Sequence, residues 1–314
     1  MNDRNRGARG AGGGRGGQGA NTSEGVRPRV VIVGGGFGGL ETARGLAGAP
    51  CDVVLIDRRN HHVFQPLLYQ VATAALSPAD IAAPIRSVLR RQDNARVVLS
   101  EVTGVDLGHR RVAVAGGDTF GYDWLVLAPG VTHTYFGNPA WSKRAPGLKS
   151  IEDALEIRRR VLLAFEEAEL EDDPEARRAK LTFVVVGGGP TGVEMAGALR
   201  EIAAQTIPDD FRRVDTSTAR VILLEGEDRL LPGMSEMAGR GALHHLEAMG
   251  VEVRLGTYLT DLDDETVLLG DERLAAANVI WAAGVKAGSL SGTLGVDLDG
   301  SGRVKVEPDC SVPG

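Results

Sequence analysis

The stretch "RVVIVGGGFGGLETARGLAG", Arg29 to Gly48, decides the fold. Val30, Val31, Ile32 and Val33 form a β-branched run that suits a strand buried on both faces. Gly34, Gly36 and Gly39 follow at the spacing of a GxGxxG turn, and then Leu40, Ala43 and Leu46 or Ala47 recur at helical spacing. The three glycines differ in what they permit. The first allows a tight turn, the second lets backbone approach a pyrophosphate, and the third lets helix and strand pack closely. The helix start then offers unpaired N–H groups and a positive dipole end to the phosphates. Asp57 closes the next strand, "DVVLID", where a carboxylate accepts hydrogen bonds from a ribose 2′-hydroxyl. Strand, helix and strand in this order predict a parallel, doubly wound α/β sheet.

The chain repeats this phrase as "TFVVVGGGPTGVEMAGAL", Thr182 to Leu199, with Gly187, Gly189 and Gly192 at the same spacing. Val193, Ala196, Leu199 and Ala203 are expected on the buried side of the following helix. The acidic partner is Glu225, ending "RVILLE" after an inserted loop, and no Arg immediately follows it. A carboxylate there would face any 2′-phosphate, so NADH is expected over NADPH. One glycine turn alone is weak evidence. Two copies, each with a strand before, a helix after and an acid at the next strand end, predict two dinucleotides bound face to face. A flavin and a nicotinamide suit that arrangement, because hydride passes directly between those rings.

With 314 residues the chain is long enough for two domains. Its 35 Lys and Arg against 42 Asp and Glu leave a net charge of −7, which gives no general reason to bind nucleic acid. Cys51 and Cys310 are far apart and form no CxxC, so neither a disulfide framework nor a zinc site is expected. The pairs His61–His62 and His244–His245 lack further ligands nearby and are read as structural or surface residues. No uninterrupted apolar run reaches the length of a membrane span.

Residues 1–27, rich in Gly and Arg, are expected to form a disordered tail. A first unit is expected over 28–149, a second over 150–285, and a return segment over 286–314. Ser150 opens the second unit with a capping box to Asp153, followed by Ala154, Ile157, Val161 and Phe165 on one helical face. The acidic "EAELEDDPEARRAK" is read as a solvated connection, and "VIWAAGV" as a strand ending in a small-residue turn, Ala282 to Val285. The predicted architecture is two Rossmann-like dinucleotide-binding domains, the second inserted into the first.

A redox cysteine pair after the first turn would mark a disulfide reductase, and the corresponding stretch, Asp57 to Arg86, has none. Instead the chain resembles the type II NADH dehydrogenases, single-chain NADH:quinone oxidoreductases. The resemblance rests on "VIVGGGFGGLETARGL", "NHHVFQPLLYQVATAALSPADIAAPIR", "APGLKSIEDALEIRRR", "LTFVVVGGGPTGVEMAGAL" and "VIWAAGV". It implies that Gly34, Gly36, Gly39 and Asp57 bind FAD, with Gln65, Pro66 and Leu67 near the isoalloxazine and Ala128 to Gly130 crossing close to it. It implies NADH on Gly187, Gly189, Gly192 and Glu225, with Ala283 and Gly284 also in the cofactor region, and Glu194 beside the nicotinamide as the catalytic candidate. Ping-pong transfer of hydride from NADH to FAD, and of two electrons to a quinone, is the activity implied.

The family normally runs on past "RVKVEPDCSVPG" into a Gly-Asp strand, a quinone-site segment and amphipathic helices that hold the enzyme on the cytoplasmic face of the membrane. The chain is therefore expected to be a C-terminally truncated representative, with a homodimer left open. Pro129 stands where the family usually has Thr. Two other readings stay open: a soluble NADH-dependent flavoprotein reductase passing electrons to a ferredoxin-like acceptor, and a catalytically idle nucleotide-binding module.

Overall fold

In the computed structural model, which describes residues 27–313, the strand–turn–helix phrase builds the same sheet twice. The expected tail lies outside the described residues apart from Arg27. In the first unit, β1 (Arg29–Val33), α1 (Phe37–Gly45), β2 (Asp52–Asp57), β3 (Ala95–Leu99) and β4 (Trp124–Leu127) give a parallel sheet of order β3-β2-β1-β4. The chain continues through β5 (Val131–His133) and the long helix α2 (Ile151–Leu170). Then β6 (Thr182–Val186), α3 (Pro190–Glu201), β7 (Arg220–Leu224), α4 (Glu236–Met249), β8 (Glu252–Arg254) and β9 (Asn278–Trp281) give a second parallel sheet, β8-β7-β6-β9. The short strand β10 (Val285–Ala287) follows.

Both sheets are covered on both faces, which is why their strands read as continuous apolar runs. Val30, Ile32, Val53 and Leu55 face Leu40, Ala43 and Ile85, while Val31, Val33, Val54 and Ile56 face Val112 and Val114. In the second sheet Phe183, Val185, Val221 and Leu223 pack with Phe165, Met195 and Leu246 of the helices. Val184, Val186, Ile222 and Leu224 pack with Leu262, Val267 and Leu274. The second layer in each unit is a three-stranded antiparallel meander, formed by the connection between its third and fourth sheet strands. The meander strands are Val102–Asp106, Arg111–Val114 and Thr119–Gly121 in one unit and Asp261–Leu262, Thr266–Leu269 and Glu272–Ala275 in the other.

An antiparallel ribbon joins the units, β5 against β10, with Val131 opposite Ala287 and His133 opposite Val285. Beside it Trp281 is almost fully buried, and its indole N–H donates to the Thr134 carbonyl at 2.9 Å. The rings of Tyr135, Phe136 and Trp141 surround it at centroid distances of 4.9, 6.1 and 5.8 Å. Burial of the Trp281 ring against half-buried Tyr135 and Trp141, with its indole N–H satisfied, makes the junction a packed element rather than a loose linker, while Phe136 stays largely exposed at its edge.

The capping box of α2 has both arms: Ser150 Oγ accepts from the Asp153 N–H at 3.2 Å and the Asp153 carboxylate from the Ser150 N–H at 2.9 Å. Ala154, Ile157, Val161 and Phe165 are all buried along it. Three expectations need correction. The stretch "EAELEDDPEARRAK" is not an irregular connection: α2 extends to Leu170 and a second helix covers Pro174–Lys180. Asp173 caps it, accepting from the Glu175 N–H at 3.1 Å, and Pro174 takes the first helical position, where a missing N–H costs nothing. Helix α1 ends at Gly45, so Ala47 is exposed and only Leu46 keeps partial contact with the core. On α3, Met195 takes the buried position beside Ala196, and Val193 is only half-buried.

The closest backbone approaches occur at the third glycines. A Cβ on Gly39 would overlap the Gly34 carbonyl oxygen, and one on Gly192 the Gly187 carbonyl oxygen. Gly39→Ala and Gly192→Ala are each expected to cost about 3 kcal/mol in urea unfolding, since backbone rather than a movable side chain is in the way. Gly45→Ala, at a helical position with open space around it, is expected to raise stability by about 0.5 kcal/mol in the same measurement.

Candidate functional site

The two glycine turns match in their bonding. Gly34 and Gly187 have φ of 101° and 111°, the left-handed region that favours glycine, and their N–H groups donate to Ile56 and Leu224 at 2.8 and 2.7 Å. The fourth strands then meet them: the Ala128 N–H donates to Val33 and the Ala282 N–H to Val186, both at 2.8 Å. A Cβ on Gly34 would collide with the Ala128 carbonyl, and one on Gly187 would lie 2.7 Å from the Ala283 nitrogen. The chain leaves each crossing through a left-handed glycine, Gly130 or Gly284. Ala128 matches Ala282, Pro129 matches Ala283 and Gly130 matches Gly284; Ala128 and Ala283 lie against the first glycine of their turns, and Gly130 and Gly284 follow at the exit.

Gly36 and Gly189 are the N-caps of α1 and α3, and neither helix start receives a side-chain cap. A Cβ at either glycine would project into open space. Unpaired helix N–H groups beside an open cradle are the donor set a pyrophosphate needs. At the strand ends, Asp57 and Glu225 are half-buried and each accepts from the middle glycine of its own turn. The Gly35 N–H lies 2.5 Å from Asp57 Oδ2, and the Gly188 N–H 2.6 Å from Glu225 Oε2. Their second oxygens accept from Arg59 and Glu227 N–H groups at 2.6 and 2.9 Å. Each carboxylate oxygen retains a lone pair for a ribose hydroxyl.

The helix starts open on one shared cleft of about 280 Å³. Phe37 enters it from α1, Pro190, Thr191 and Glu194 from α3, and Gln65, Pro66, Tyr69, Leu148 and Lys149 complete it. The structure therefore brings Gln65, Pro66 and Glu194 together across 128 positions of sequence (66 to 194). Leu67, expected beside them, is half-buried and packs on the main core instead. Gln65 Nε2 donates to the Lys149 carbonyl at 3.4 Å, tying the Gln-Pro turn to the start of α2. Partial loss of solvent pushes the carboxyl of the still exposed Glu194 above its usual value and the ammonium of the half-buried Lys149 below its own.

Sequence reading missed several lining residues. Phe37 carried a signal, standing first in the helix after the turn, whereas Lys149 and Tyr69 reach the cleft only through tertiary packing. His62, read as structural, sits against the first turn: its Nδ1 is 3.2 Å from the Gly35 carbonyl and its ring meets Phe37 edge-on at 4.8 Å.

Comparison with known proteins agrees with this geometry. The family model for pyridine nucleotide-disulphide oxidoreductases matches residues 28–314. The chain is 48% identical over 300 residues to the type II NADH:quinone oxidoreductase Ndh of Mycobacterium tuberculosis, covering 92% of this chain and 65% of that one. It is 46% identical over 303 residues to NdhA of the same organism, covering 92% and 64%. The chain thus spans just under two thirds of the length of these curated relatives. The structure of NDH2 from Plasmodium falciparum in complex with NADH aligns with a TM-score of 0.78 at 25% identity, over 84% of this chain and 56% of that one.

The Glu194 environment generates a pH prediction. Its folded-state pKa lies above the unfolded value, so its contribution is fully present below the unfolded pKa and is lost as pH rises through the folded one. Urea unfolding of the parent and Glu194→Gln should therefore diverge as pH rises from about 4 to about 7, the parent losing stability relative to the variant. Parallel curves would show that solvent reaches the carboxyl freely.

Proposed function

Because the chain belongs to the pyridine nucleotide-disulphide oxidoreductase family, we propose that it is an NADH:quinone oxidoreductase using FAD. The observation that carries the proposal is the pair of uncapped glycine-turn helix starts facing one cleft. The names of the relatives at 46–48% identity support a quinone as acceptor and disfavour a ferredoxin-like acceptor or an idle module. FAD, when bound, supplies the two-electron relay between nicotinamide and quinone.

The first turn fits FAD: Gly34 and Gly39 close the backbone, Gly36 opens the cradle, and Asp57 faces the adenosine ribose. Gln65 and Pro66 approach the cleft side of that site, and Ala128 to Gly130 cross beside it with no bulky side chain in the way. The second turn fits NADH, with Gly187, Gly189 and Gly192 in the same duties, Glu225 at the ribose, and Ala283 and Gly284 at the crossing. The residue after Glu225 is Gly226, so nothing there offsets repulsion between the carboxylate and a 2′-phosphate. Glu194 lies between the two sites and orients the nicotinamide. Partial loss of solvent pushes its carboxyl above the usual glutamate value, so it keeps its proton to a higher pH than an ordinary glutamate, although the side chain still reaches solvent. Phe37, Tyr69 and Leu148 give the cleft its apolar side. Proximity of two bound rings supplies the rest. As quinones dissolve in lipid, we also propose that the acceptor is met at a membrane surface; among the described residues no helix is long and apolar enough to cross a membrane.

Single added methyl groups separate the two sites. Gly36→Ala is expected to fold but to lose bound flavin, measured as flavin absorbance per protein. Gly189→Ala should keep its flavin and raise the NADH concentration needed for its reduction by at least tenfold, the order expected for one lost close phosphate contact. Glu225→Arg should shift the NADH to NADPH preference by roughly tenfold or more in steady-state kcat/KM. An unchanged preference would remove Glu225 from the ribose site.

A further inference from the structure

The residue after each ribose carboxylate differs between the otherwise matching units. In the first unit the Ser100 N–H donates to the Asp57 carbonyl at 2.9 Å, and in the second the Thr257 N–H donates to the Glu225 carbonyl at 2.9 Å. These bonds align Arg58 with Gly226 and Glu101 with Tyr258. Arg58 and Glu101 are exposed charges. Gly226 and Tyr258 instead form a contact. The Cβ that Gly226 lacks would fall among the Cδ1, Cε1 and Cζ atoms of the Tyr258 ring, so the ring lies over bare backbone. The Gly226 backbone is not in the left-handed region, so its conformation does not call for glycine; the ring does.

Tyr258 is nevertheless 65% exposed, and its hydroxyl makes no hydrogen bond within the described residues. A large aromatic ring that is held in place yet left open presents a face for a flat ligand. Its position is fixed: the Glu225 N–H donates to Arg254 and the Gly256 N–H to Glu227, both at 2.9 Å, stitching the two loops together on either side of the ring. The carboxylate of Glu225, one residue from Gly226, is locked to the second glycine turn through Gly188. A nucleotide whose ribose meets Glu225 therefore carries its base toward this loop pair.

We infer that Gly226 and Tyr258 form a stacking platform for the adenine ring of the dinucleotide, a specificity element of the second site that has no counterpart in the first. The inference rests on the assignment of the second turn to NADH. The platform adds affinity for the adenosine half alone, and the nicotinamide half gains nothing from it. It makes the chain a reader of the whole dinucleotide rather than of the reactive ring.

The test is the affinity of the full 314-residue chain for NADH and for reduced nicotinamide mononucleotide, which lacks the adenosine half, by fluorescence titration. Tyr258→Ala and Gly226→Ala, the latter unseating the ring, are expected to weaken NADH roughly five- to hundredfold, the range for one lost base stack. Affinity for the mononucleotide should not change in either, and Tyr258→Phe should bind NADH like the parent. Unchanged NADH affinity in Tyr258→Ala, or equal losses for both ligands, would overturn the platform. A parent chain that binds neither ligand would overturn the assignment of the second turn itself, before any variant is compared.

Discussion

Everything in this structure depends on how closely a helix can approach the strand that precedes it. At Gly39 and at Gly192 the helix backbone rests on the carbonyl of the first glycine of its turn, at a distance that excludes even a methyl group. This contact pins the helix start to the strand end. The next consequence is electrostatic: with Gly36 and Gly189 as N-caps there is no side chain to satisfy the first N–H groups, so the positive end of each helix is left for a ligand. The fold and the binding site are thus one constraint seen at two scales.

Doubling that constraint underlies the function proposed for the chain. The parallel sheets have the same strand order, the same meander crossover and the same carboxylate-to-glycine bond, so each unit presents its cradle at the same place. The β5–β10 ribbon and the buried Trp281 cluster bring the units together, and α1 and α3 then point at a common cleft. Apolar Phe37, Pro66, Leu148 and Pro190 alternate in its lining with polar Gln65, Lys149, Thr191 and Glu194, and partial desolvation pushes the Glu194 carboxyl up and the Lys149 ammonium down. Under the proposed function, this shared space is where the two bound rings would meet.

The glycine turns, the flanking strands, Asp57 and Glu225 were legible in the sequence because each obeys a local rule of spacing. So was the Ser150–Asp153 capping box. The meanders were not, because their short strands alternate weakly and acquire their meaning only by covering a sheet face. The helix at Pro174–Lys180 was masked by its acidic composition, although Asp173-Pro174 is a start signal when read by position rather than by charge. Lys149 and Tyr69 join the cleft, and Tyr258 joins Gly226, through contacts between distant segments that no periodicity announces. Leu67 shows the reverse: a residue adjacent to two cleft residues turns to the core, because in a tight turn neighbouring side chains point different ways.

The central claim is that two nucleotides meet across one cleft and exchange electrons there. The most direct measurement is the visible absorption spectrum of the purified, FAD-supplemented chain before and after anaerobic addition of NADH. Bleaching of the flavin band is the predicted result. A flavin band that stays unchanged while both nucleotides are bound would contradict the account, because the two cradles would then be occupied without facing one another.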